Sequence, residues 1–437
     1  MTAASPAGSD PVPGPPVTPP VRPPRGRLRR IFLDTTPLRE HREFRLLWLG
    51  QVVSGMGNQI TRIALPFQVY VLTGSTLAIG ALVLAQLVPI LVFSLGAGSV
   101  ADAVDRRKLL IVTQAGMALT SLALVALALV PSPPLIAIFA VAFVAAGLSS
   151  VDGPTRSAAI PRLVSAAHLP AAIALNQLNY QAASVVGPAI GGLLLATLGL
   201  AGAYGADVLT FAASLGALLV IGPLPPVGRV TRPGLAAIRE GLRYAADRRV
   251  ILSTFAIDLV AMIFGMPTVL FPVLALDVFK VGPVGVGLLA AAPGVGAFFG
   301  ALLSGWVSRV RRTGRAVALA VIVWGLAIAG FGLATFSFPL ALFLLAIAGA
   351  ADVLSAVFRS MIIQLEAPDE LRGRVMSIHM LVVTSGPRMG DLEATGVAAV
   401  LGAQFSVVSG GLLCLVGVAA VARLFPELWR NVMATRE

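Results

Sequence analysis

Residues 98–110 read GSVADAVDRRKLL, a cluster of five charged side chains in an otherwise apolar part of the chain. Apolar runs near 76–102 and 107–130 flank the cluster, and each has the roughly 20 residues that a membrane-spanning helix needs. Charged side chains are costly inside the hydrocarbon core of a bilayer, so they collect where the chain turns at its surface. The stretch therefore predicts a tight polar turn between two membrane helices.

The composition of the whole chain agrees with this interpretation. Of its 437 residues, 57% are hydrophobic and 12% are charged, whereas soluble domains have about 25% charged residues. So few polar groups cannot cover a surface that faces water, and we expect a polytopic membrane protein. The net charge of +12 lies in short loops, which indicates membrane topology and not a nucleic-acid partner. The single cysteine, Cys414, predicts neither a disulfide framework nor a thiolate metal site.

Twelve apolar segments of membrane-helix length follow one another along the chain. They lie near 44–72, 76–102, 107–130, 134–159, 168–198, 200–222, 249–279, 283–308, 314–336, 338–365, 371–401 and 404–425. Helical spacing of apolar residues in the second half of 223–248 predicts an amphipathic helix on the membrane surface. Residues 1–43 predict a disordered, Pro/Arg-rich cytoplasmic tail with a short helix, and residues 426–437 predict a second cytoplasmic tail.

Basic residues are concentrated in every second loop. The loops after spans two, four, six, eight and ten carry them, whereas the opposite loops carry only Lys280. Because cytoplasmic loops are enriched in Lys and Arg, we expect both termini in the cytoplasm. Arginine far outnumbers lysine, which is typical of a GC-rich bacterial genome, so the expected location is a bacterial inner membrane. Asp207 and Asp277 lie near the predicted outer ends of their spans, where we expect them to be solvated.

The two halves of the chain resemble each other. The stretch RSAAIPRLVSAAHLPAAIAL, which begins at Arg156, matches RSMIIQLEAPDELRGRVMSI, which begins at Arg359, when one residue is skipped. Six spans, a linker and six further spans in the same orientation predict a parallel repeat about an axis along the membrane normal. The predicted units are a bundle over 44–222, a linker over 223–248 and a second bundle over 249–425.

The opening stretch resembles the Gly-x-x-x-Asp-Arg-x-Gly-Arg-Arg signature that the major facilitator superfamily carries between spans two and three. Ala103 and Asp105 stand where the family has Arg and Gly. The resemblance implies an all-α fold of twelve transmembrane helices in two six-helix bundles. The matching positions are Gly98, Asp102, Arg106 and Arg107.

In that family the signature closes the cytoplasmic side of the transporter. The resemblance implies that Asp102 meets the start of span eleven, where Arg372 or Arg374 would be its partner. A carboxylate at a helix C-terminus requires such a cation or the N-terminus of another helix. The alternative is that the basic residues of the cluster only fix the topology.

A second motif lies in span five, where residues 183–192 read ASVVGPAIGG. Small residues allow helices to approach closely and Pro188 removes an amide donor, so the segment by itself indicates close packing. It also resembles the antiporter signature of drug and metabolite exporters, which favours an exporter over an importer. The signature positions are Gly187, Pro188, Gly191 and Gly192.

Further stretches, among them YVLTGSTLAIG, VGPAIGGLLLATLG and VGLLAAAPGVGAFFGALLSG, resemble one branch of that superfamily over about 40–425. This branch includes the siderophore (enterobactin) exporters and related macrolide or multidrug efflux proteins. The resemblance implies a secondary active, proton-coupled antiporter that is monomeric and has no cofactor. Its expected partners are a small-molecule substrate, the proton and the lipid bilayer.

Each half carries an acid and a base on one helix face near the predicted cytoplasmic mouth. Asp152 and Arg156 are four residues apart in span four. Asp352 and Arg359 are seven residues apart in span ten, the repeat partner of span four. One hypothesis is a cytoplasmic gate, and the alternative is that these are local pairs that only offset the cost of burial.

Charged residues at mid-membrane depth are candidates for the substrate cavity. Arg62 lies about two thirds of the way along span one and is a candidate anchor for an anionic substrate group. Arg388 and Asp391 share a face of span eleven, whereas Glu393 points elsewhere, so substrate binding, ion coupling and pairing between helices stay open. The predicted cavity residues are Arg62, Asp258, Asp352 and Arg388.

An exporter without a nucleotide-binding domain must use an ion gradient. Asp152, Asp352 and Asp391 each have an arginine on their own helix face, which holds a carboxylate ionised. Asp258 has no cation at helical spacing in its span, so we predict that it is the proton carrier. The alternative is that Asp258 is hydrogen-bonded to a neighbouring helix. Glu393 and Asp391 are the other candidates for proton coupling.

Other classes of function fit the sequence less well. His41, His168 and His379 are scattered, without paired metal spacing or a Ser-His-Asp arrangement, so we expect neither an enzyme nor a metal site. The segment GVGAFFG at 294–300 lacks the lysine of a phosphate-binding loop. A facilitator-type importer, a receptor and a lipid scramblase that does not use ATP are the alternatives. Lipid flux that does not depend on the proton gradient would favour the scramblase.

Overall fold

The computed structural model describes residues 34–225 and 243–430. Most of the predicted terminal tails and the central part of the predicted linker, residues 226–242, lie outside this range. Some side chains inside helices lie outside the description as well, namely those of residues 94–103, 308–309, 369–370, 372–374, 377, 381 and 430. Within the described range the chain forms helices and no strand.

Twelve long helices run through the described part of the chain. They are α1 (Arg42–Thr73), α2 (Thr76–Ala103), α3 (Arg106–Ala128), α4 (Leu135–Leu163), α5 (Leu169–Thr197), α6 (Gly199–Val220), α7 (Arg249–Phe264), α8 (Gly282–Leu302), α9 (Thr313–Leu333), α10 (Phe338–Glu366), α11 (Asp369–Leu401) and α12 (Ala403–Leu424). Nine of these helices contain a segment long and apolar enough to cross a membrane, and a tenth such segment, Arg249–Val278, begins with α7 and continues beyond it. The other two, α1 and α11, are 32 and 33 residues long and carry charged residues along their length. The predicted all-α polytopic architecture is therefore confirmed.

The seventh span is broken, unlike the continuous run predicted over 249–279. Helix α7 ends at Phe264, and the chain continues through short helical turns from Thr268 to Val278. Pro267 lies in the break and has no amide hydrogen to donate. Backbone polar groups inside a membrane must find partners within the protein, and the carbonyl of Gly265 accepts a hydrogen bond from the indole of Trp324 at 2.8 Å.

The helices of the two halves pack in the same order. In the first half α1 contacts α5 and α6, α3 contacts α4 and α6, and α2 contacts α4. In the second half α7 contacts α11 and α12, α9 contacts α10 and α12, and α8 contacts α10. The main contacts between halves, α5 with α8 and α2 with α11, are related by the same shift of six helices. This arrangement is typical of a parallel repeat, while the residue boundaries of the two units stay predictions.

The close packing that the segment ASVVGPAIGG predicts is found where α5 crosses α8. A Cβ atom on Gly192 would lie 2.8 Å from the Cα atom of Gly287. A Cβ atom on Gly287 would lie 2.5 Å from the carbonyl oxygen of Pro188. Gly187 and Gly191 face α1 with similarly little space. Glycine is therefore required for the two halves to meet here.

The charged cluster of the opening stretch joins α3 to α6. The carboxylate of Asp105 caps the N-terminus of α3 and accepts hydrogen bonds from the amides of Arg107 at 2.9 Å and Lys108 at 3.3 Å. The guanidinium of Arg107 donates to the carbonyls of Leu218 at 3.1 Å and Leu219 at 2.7 Å, near the end of α6. A carboxylate at a helix N-terminus and a cation at a C-terminus both stabilise the helix.

Candidate functional site

The middle of α1 exposes two polar side chains between buried neighbours. Asn58 and Arg62 are exposed and lie on one helix face, whereas Thr61 and Ile63 are buried. Arg62 lies 11 residues before the end of α1 at Thr73, which is about 17 Å along the helix axis. It makes no hydrogen bond or ion pair with the described residues. Charged groups at this depth usually face a cavity or a partner, and the place of Arg62 in a substrate cavity stays a prediction.

A second arginine approaches the same place from the other half of the protein. Arg388 on α11 is close enough to Arg62 for their charges to interact. Its Nη1 atom donates a 2.6 Å hydrogen bond to Oε1 of Gln86 on α2, so this bond connects the two halves. The centre of the bundle therefore holds two positive charges, one from each half.

The acid Asp391, which interacts with both arginines, forms hydrogen bonds at the break in the seventh span. It is 4% exposed, and its Oδ1 atom accepts hydrogen bonds from the amide of Val269 and the hydroxyl of Thr268, both at 3.2 Å. Asp391 thereby provides a hydrogen-bond acceptor for a backbone amide at the helix break, where the regular helical hydrogen bonds are interrupted. Its charge also interacts with Arg388 and Arg62. Glu393 is partly buried, and its role in coupling stays a prediction.

The expectation that Asp258 lacks a cation is wrong. Nη2 of Arg359 lies 2.9 Å from Oδ1 of Asp258 and 4.0 Å from Oδ1 of Asp352. The side chains of Asp258 and Arg359 are 0% and 1% exposed, whereas that of Asp352 is 27% exposed. The cation comes from α10, a neighbouring helix, which the spacing within a single span cannot reveal. Asp258 therefore does not line a cavity, and the reason for choosing it as proton carrier no longer holds.

The predicted pair in α4 forms within the first half of the protein. Nε of Arg156 lies 2.6 Å from Oδ2 of Asp152. Asp152 also accepts hydrogen bonds from Thr113 at 2.8 Å and Gln114 at 3.0 Å on α3, and Arg156 bonds Ser214 on α6 at 3.4 Å. These contacts join α3, α4 and α6 to one another, and the proposed gate role of the pair stays a prediction.

The latch inferred from the opening stretch also stays a prediction. The side chains of Gly98, Asp102, Arg372 and Arg374 lie outside the described residues. Arg106 is buried, and its amide donates to the carbonyl of Leu224 at 3.1 Å. The described contacts of this cluster thus explain how it connects helices of the first half.

The expectation that Asp207 is solvated is wrong as well. Asp207 is 1% exposed, because α6 packs between α1 and α3 at this level. Its carboxylate accepts hydrogen bonds from the hydroxyls of Thr61 at 2.6 Å, Ser121 at 2.7 Å and Thr210 at 3.3 Å. A sequence signal for this site exists, since each of these hydroxyls interrupts an apolar span.

Asp277 is exposed, as expected for a residue at the end of its span. Its carboxylate accepts a hydrogen bond from the hydroxyl of Tyr70 at the end of α1. The bond joins the two halves at the end of the bundle opposite the basic loops.

Comparison with known proteins identifies the family. The sequence model of the transmembrane secretion effector family, a branch of the major facilitators, matches residues 34–433. The chain belongs to this family. The enterobactin exporter EntS of Shigella boydii serotype 18 is 28% identical over 394 residues, which cover 89% of this chain and 93% of the relative. EntS of Escherichia coli O81 is similar to the same extent.

Solved structures support the same fold. A bacterial homologue of the iron transporter ferroportin, in an inward-facing state, superposes with a TM-score of 0.68 at 16% identity and covers 89% of this chain and 98% of its own. A POT family transporter in complex with 5-aminolevulinic acid gives a TM-score of 0.70 at 12% identity over 89% and 96%. At such low identity these likenesses show the fold alone, and they confirm the predicted major facilitator fold.

This transmembrane secretion effector is a transporter and not an enzyme. The expectation that its histidines are scattered is nevertheless wrong for two of them. Nε2 of His41 lies 3.1 Å from Nδ1 of His168, and Oε2 of Glu40 lies 3.7 Å from that nitrogen. These side chains connect the start of α1 to the start of α5. His379 lies apart from them, with its ring stacked on Phe255.

Proposed function

We propose that this transporter exports an anionic siderophore, or an amphiphile of similar charge, in exchange for protons by alternating access. The observation that carries the proposal is the juxtaposition of Arg62 and Arg388 at the centre of the bundle. The one negative charge of Asp391 interacts with both guanidinium groups, so these three side chains together keep an excess of one positive charge. Guanidinium groups bind carboxylates and other oxyanions by paired, charge-assisted hydrogen bonds.

The similarity to enterobactin exporters supports the same class of substrate. Those relatives cover nearly the whole chain, so the similarity includes both halves that supply the arginines. Drugs and other amphiphilic metabolites are the alternatives within the exporter class. Uptake of the substrate into intact cells would instead indicate an importer.

The closure of one end of the bundle supports alternating access. Tyr70 bonds Asp277, and Gly192 packs against Gly287, both towards the end opposite the basic loops. The positive-inside rule makes that end the outer face and places both termini in the cytoplasm. With the outer side closed, substrate would enter the central site from the cytoplasm, as export requires.

The topology has a direct test. A reporter that is active only in the cytoplasm is expected to work when fused after Arg232 and to fail when fused at Thr73 or Gly282, because only the first position lies in a loop rich in basic residues. A second reporter that is active only outside the cytoplasm provides the control and should show the opposite pattern. Cytoplasmic activity at Thr73 would contradict the proposed orientation.

The substrate class is tested with purified transporter and enterobactin as the probe. R62Q and R388Q are each expected to weaken binding by about ten- to hundredfold. The reason is that a hydrogen bond to a charged group contributes about 1.5–3 kcal/mol. Isothermal titration calorimetry measures the binding, and uptake into inside-out vesicles with an imposed pH gradient measures transport.

The matched control is R45Q, on the same helix but at its exposed beginning, where Arg45 bonds only the carbonyl of Leu38 in the described structure. It should bind the probe like the wild type. Unchanged binding in both R62Q and R388Q would refute the anionic site. Binding of a cationic dye in place of enterobactin would move the substrate to the drug class.

A further inference from the structure

Asp207 is a buried acid that the central site does not use. Its three partners come from three helices, α1, α3 and α6, and all are hydroxyl groups. The backbone of α1 lies directly against the carboxylate, because a Cβ atom on Gly57 would be only 2.3 Å from Oδ1 of Asp207. The group is thus held in a closed polar pocket inside the first half of the transporter.

No positive charge compensates Asp207 within the described residues. On α1 the other charged groups lie in its first turn, apart from Arg62, which follows Thr61 and is exposed. The basic residues of α3 end at Lys108, 13 residues before Ser121, which is about 20 Å along the axis. Helix α5 carries no charged residue.

The remaining neighbours of Asp207 do not supply a cation either. On α6 itself the titratable neighbour is Tyr204, whose hydroxyl donates to Gln68 at 2.7 Å. Arg156 of α4 contacts α6 at Ser214, about 10 Å further along the helix, and it is paired with Asp152. Asp152, Asp258 and Asp391, by contrast, each lie near an arginine.

Such a site suits a proton. An ionised carboxylate buried in a membrane without a counter-ion costs several kcal/mol, and binding a proton removes that charge. Hydroxyl groups can donate or accept hydrogen bonds. Thr61 and Ser121 can therefore donate to the ionised form and, after one of them turns, that hydroxyl can accept the proton of the neutral form. The hydroxyl of Thr210 divides its single hydrogen between the backbone carbonyl of Asp207 at 2.7 Å and the carboxylate at 3.3 Å.

The position of the site connects it to the substrate. Thr61, which bonds Asp207, is followed directly by Arg62, which is exposed and belongs to the proposed substrate site. Pro66 comes four residues after Arg62 and lacks the amide that would bond the Arg62 carbonyl, so α1 can bend at this level. A shift of this segment of α1 would move Arg62 and open the pocket of Asp207 together.

We infer that Asp207 is the residue that binds and releases the exchanged proton, an inference that rests on the proposed proton-coupled export. The carboxyl group is sealed in the conformation described here. Exchange of the proton with water therefore requires α1 to move away from α3 and α6, which is the coupling step. Substrate at Arg62 and a proton at Asp207 would act on the same segment of α1.

Infrared difference spectroscopy of the full-length transporter in lipid nanodiscs tests the proton directly. We expect a carbonyl band of a protonated carboxylic acid that changes with pH, is lost in D207N and shifts in T61V, which removes one hydroxyl donor. This measurement needs no substrate, so its result is independent of the proposed export. A wild-type spectrum that D207N leaves unchanged at every pH would overturn the inference.

Transport then tests the coupling in proteoliposomes, with enterobactin as the probe. D207N should lose the acceleration by an imposed pH gradient, while downhill counterflow stays within about twofold of wild type. D247N, at an exposed position before α7, is the matched control. Full gradient coupling in D207N would refute the role of Asp207 as the proton carrier.

If D207N does not fold, T61V serves instead and should shift the pH at which transport is half-maximal. An unshifted pH profile in T61V would count against the role of Asp207. Wild-type protein that does not transport the probe would refute the proposed substrate and leave the infrared result standing.

Discussion

Replacing Arg359 by glutamine is expected to destabilise the folded transporter by about 3–5 kcal/mol, the cost of leaving a buried charge without its partner. Asp258 is fully buried, and Arg359 is the cation that lies beside it, at 2.9 Å. Apart from this ion pair, neither carboxylate oxygen of Asp258 has a hydrogen-bond partner among the described residues. The effect is measured as the apparent unfolding temperature in detergent, which is monitored through the loss of monodisperse protein on heating.

The geometry also predicts how the single and double variants rank in stability. D258N should lower the free energy of unfolding by less than R359Q does. The reason is that Arg359 still has partners in D258N, namely Asp352 at 4.0 Å and Ser355 at 2.9 Å. The double variant D258N/R359Q removes both charges and should be more stable than R359Q alone. D352N is the control, since Asp352 is partly exposed and should have the smallest effect. An R359Q protein as stable as the wild type would contradict the buried pair.

Replacing Gly192 by alanine is expected to reduce export by about ten- to hundredfold without weakening the fold. The added Cβ atom would lie 2.8 Å from the Cα atom of Gly287, and backbone atoms cannot give way unless the helices separate. Overpacking of this kind costs about 1–3 kcal/mol. The cost falls only on the state in which α5 and α8 are in contact, so the protein should shift towards a state open at the outer side.

Distances across the outer end measure this shift. Spin labels on cysteines introduced at Ser132 and Phe336, both exposed in loops at that end, should be further apart in G192A than in the wild type. The native Cys414 is buried and will not take up the label. The control is G205A, since a Cβ atom on Gly205 would have nothing within 4 Å. Wild-type transport and distances in G192A would contradict the proposed closure.

Local patterns in the sequence were sufficient for the architecture. A membrane helix is defined by the length of its apolar run, and its orientation is predicted by the charge of its loops, so both can be read one segment at a time. The small residues of 183–192 likewise predict close packing, which the structure confirms at Gly192. The helix cap at Asp105 is also visible in the sequence, as an acid directly before a helix.

The partners of the buried charges depended on the tertiary structure. Helical spacing shows which residues share a face of one helix, but not which neighbouring helix that face meets. Helical spacing therefore predicts that Arg359 pairs with Asp352 of its own helix, whereas the packing of α10 brings it to Asp258. For the same reason the sequence predicts that Asp207 is solvated near the end of a span, whereas α1 and α3 enclose it. The sequence by itself determined the twelve helices and the family, because apolar length, loop charge and motifs are local. Only the packing of the helices decided which acids are paired with a cation and which acid is enclosed by hydroxyl groups alone, because those contacts join residues distant in the chain.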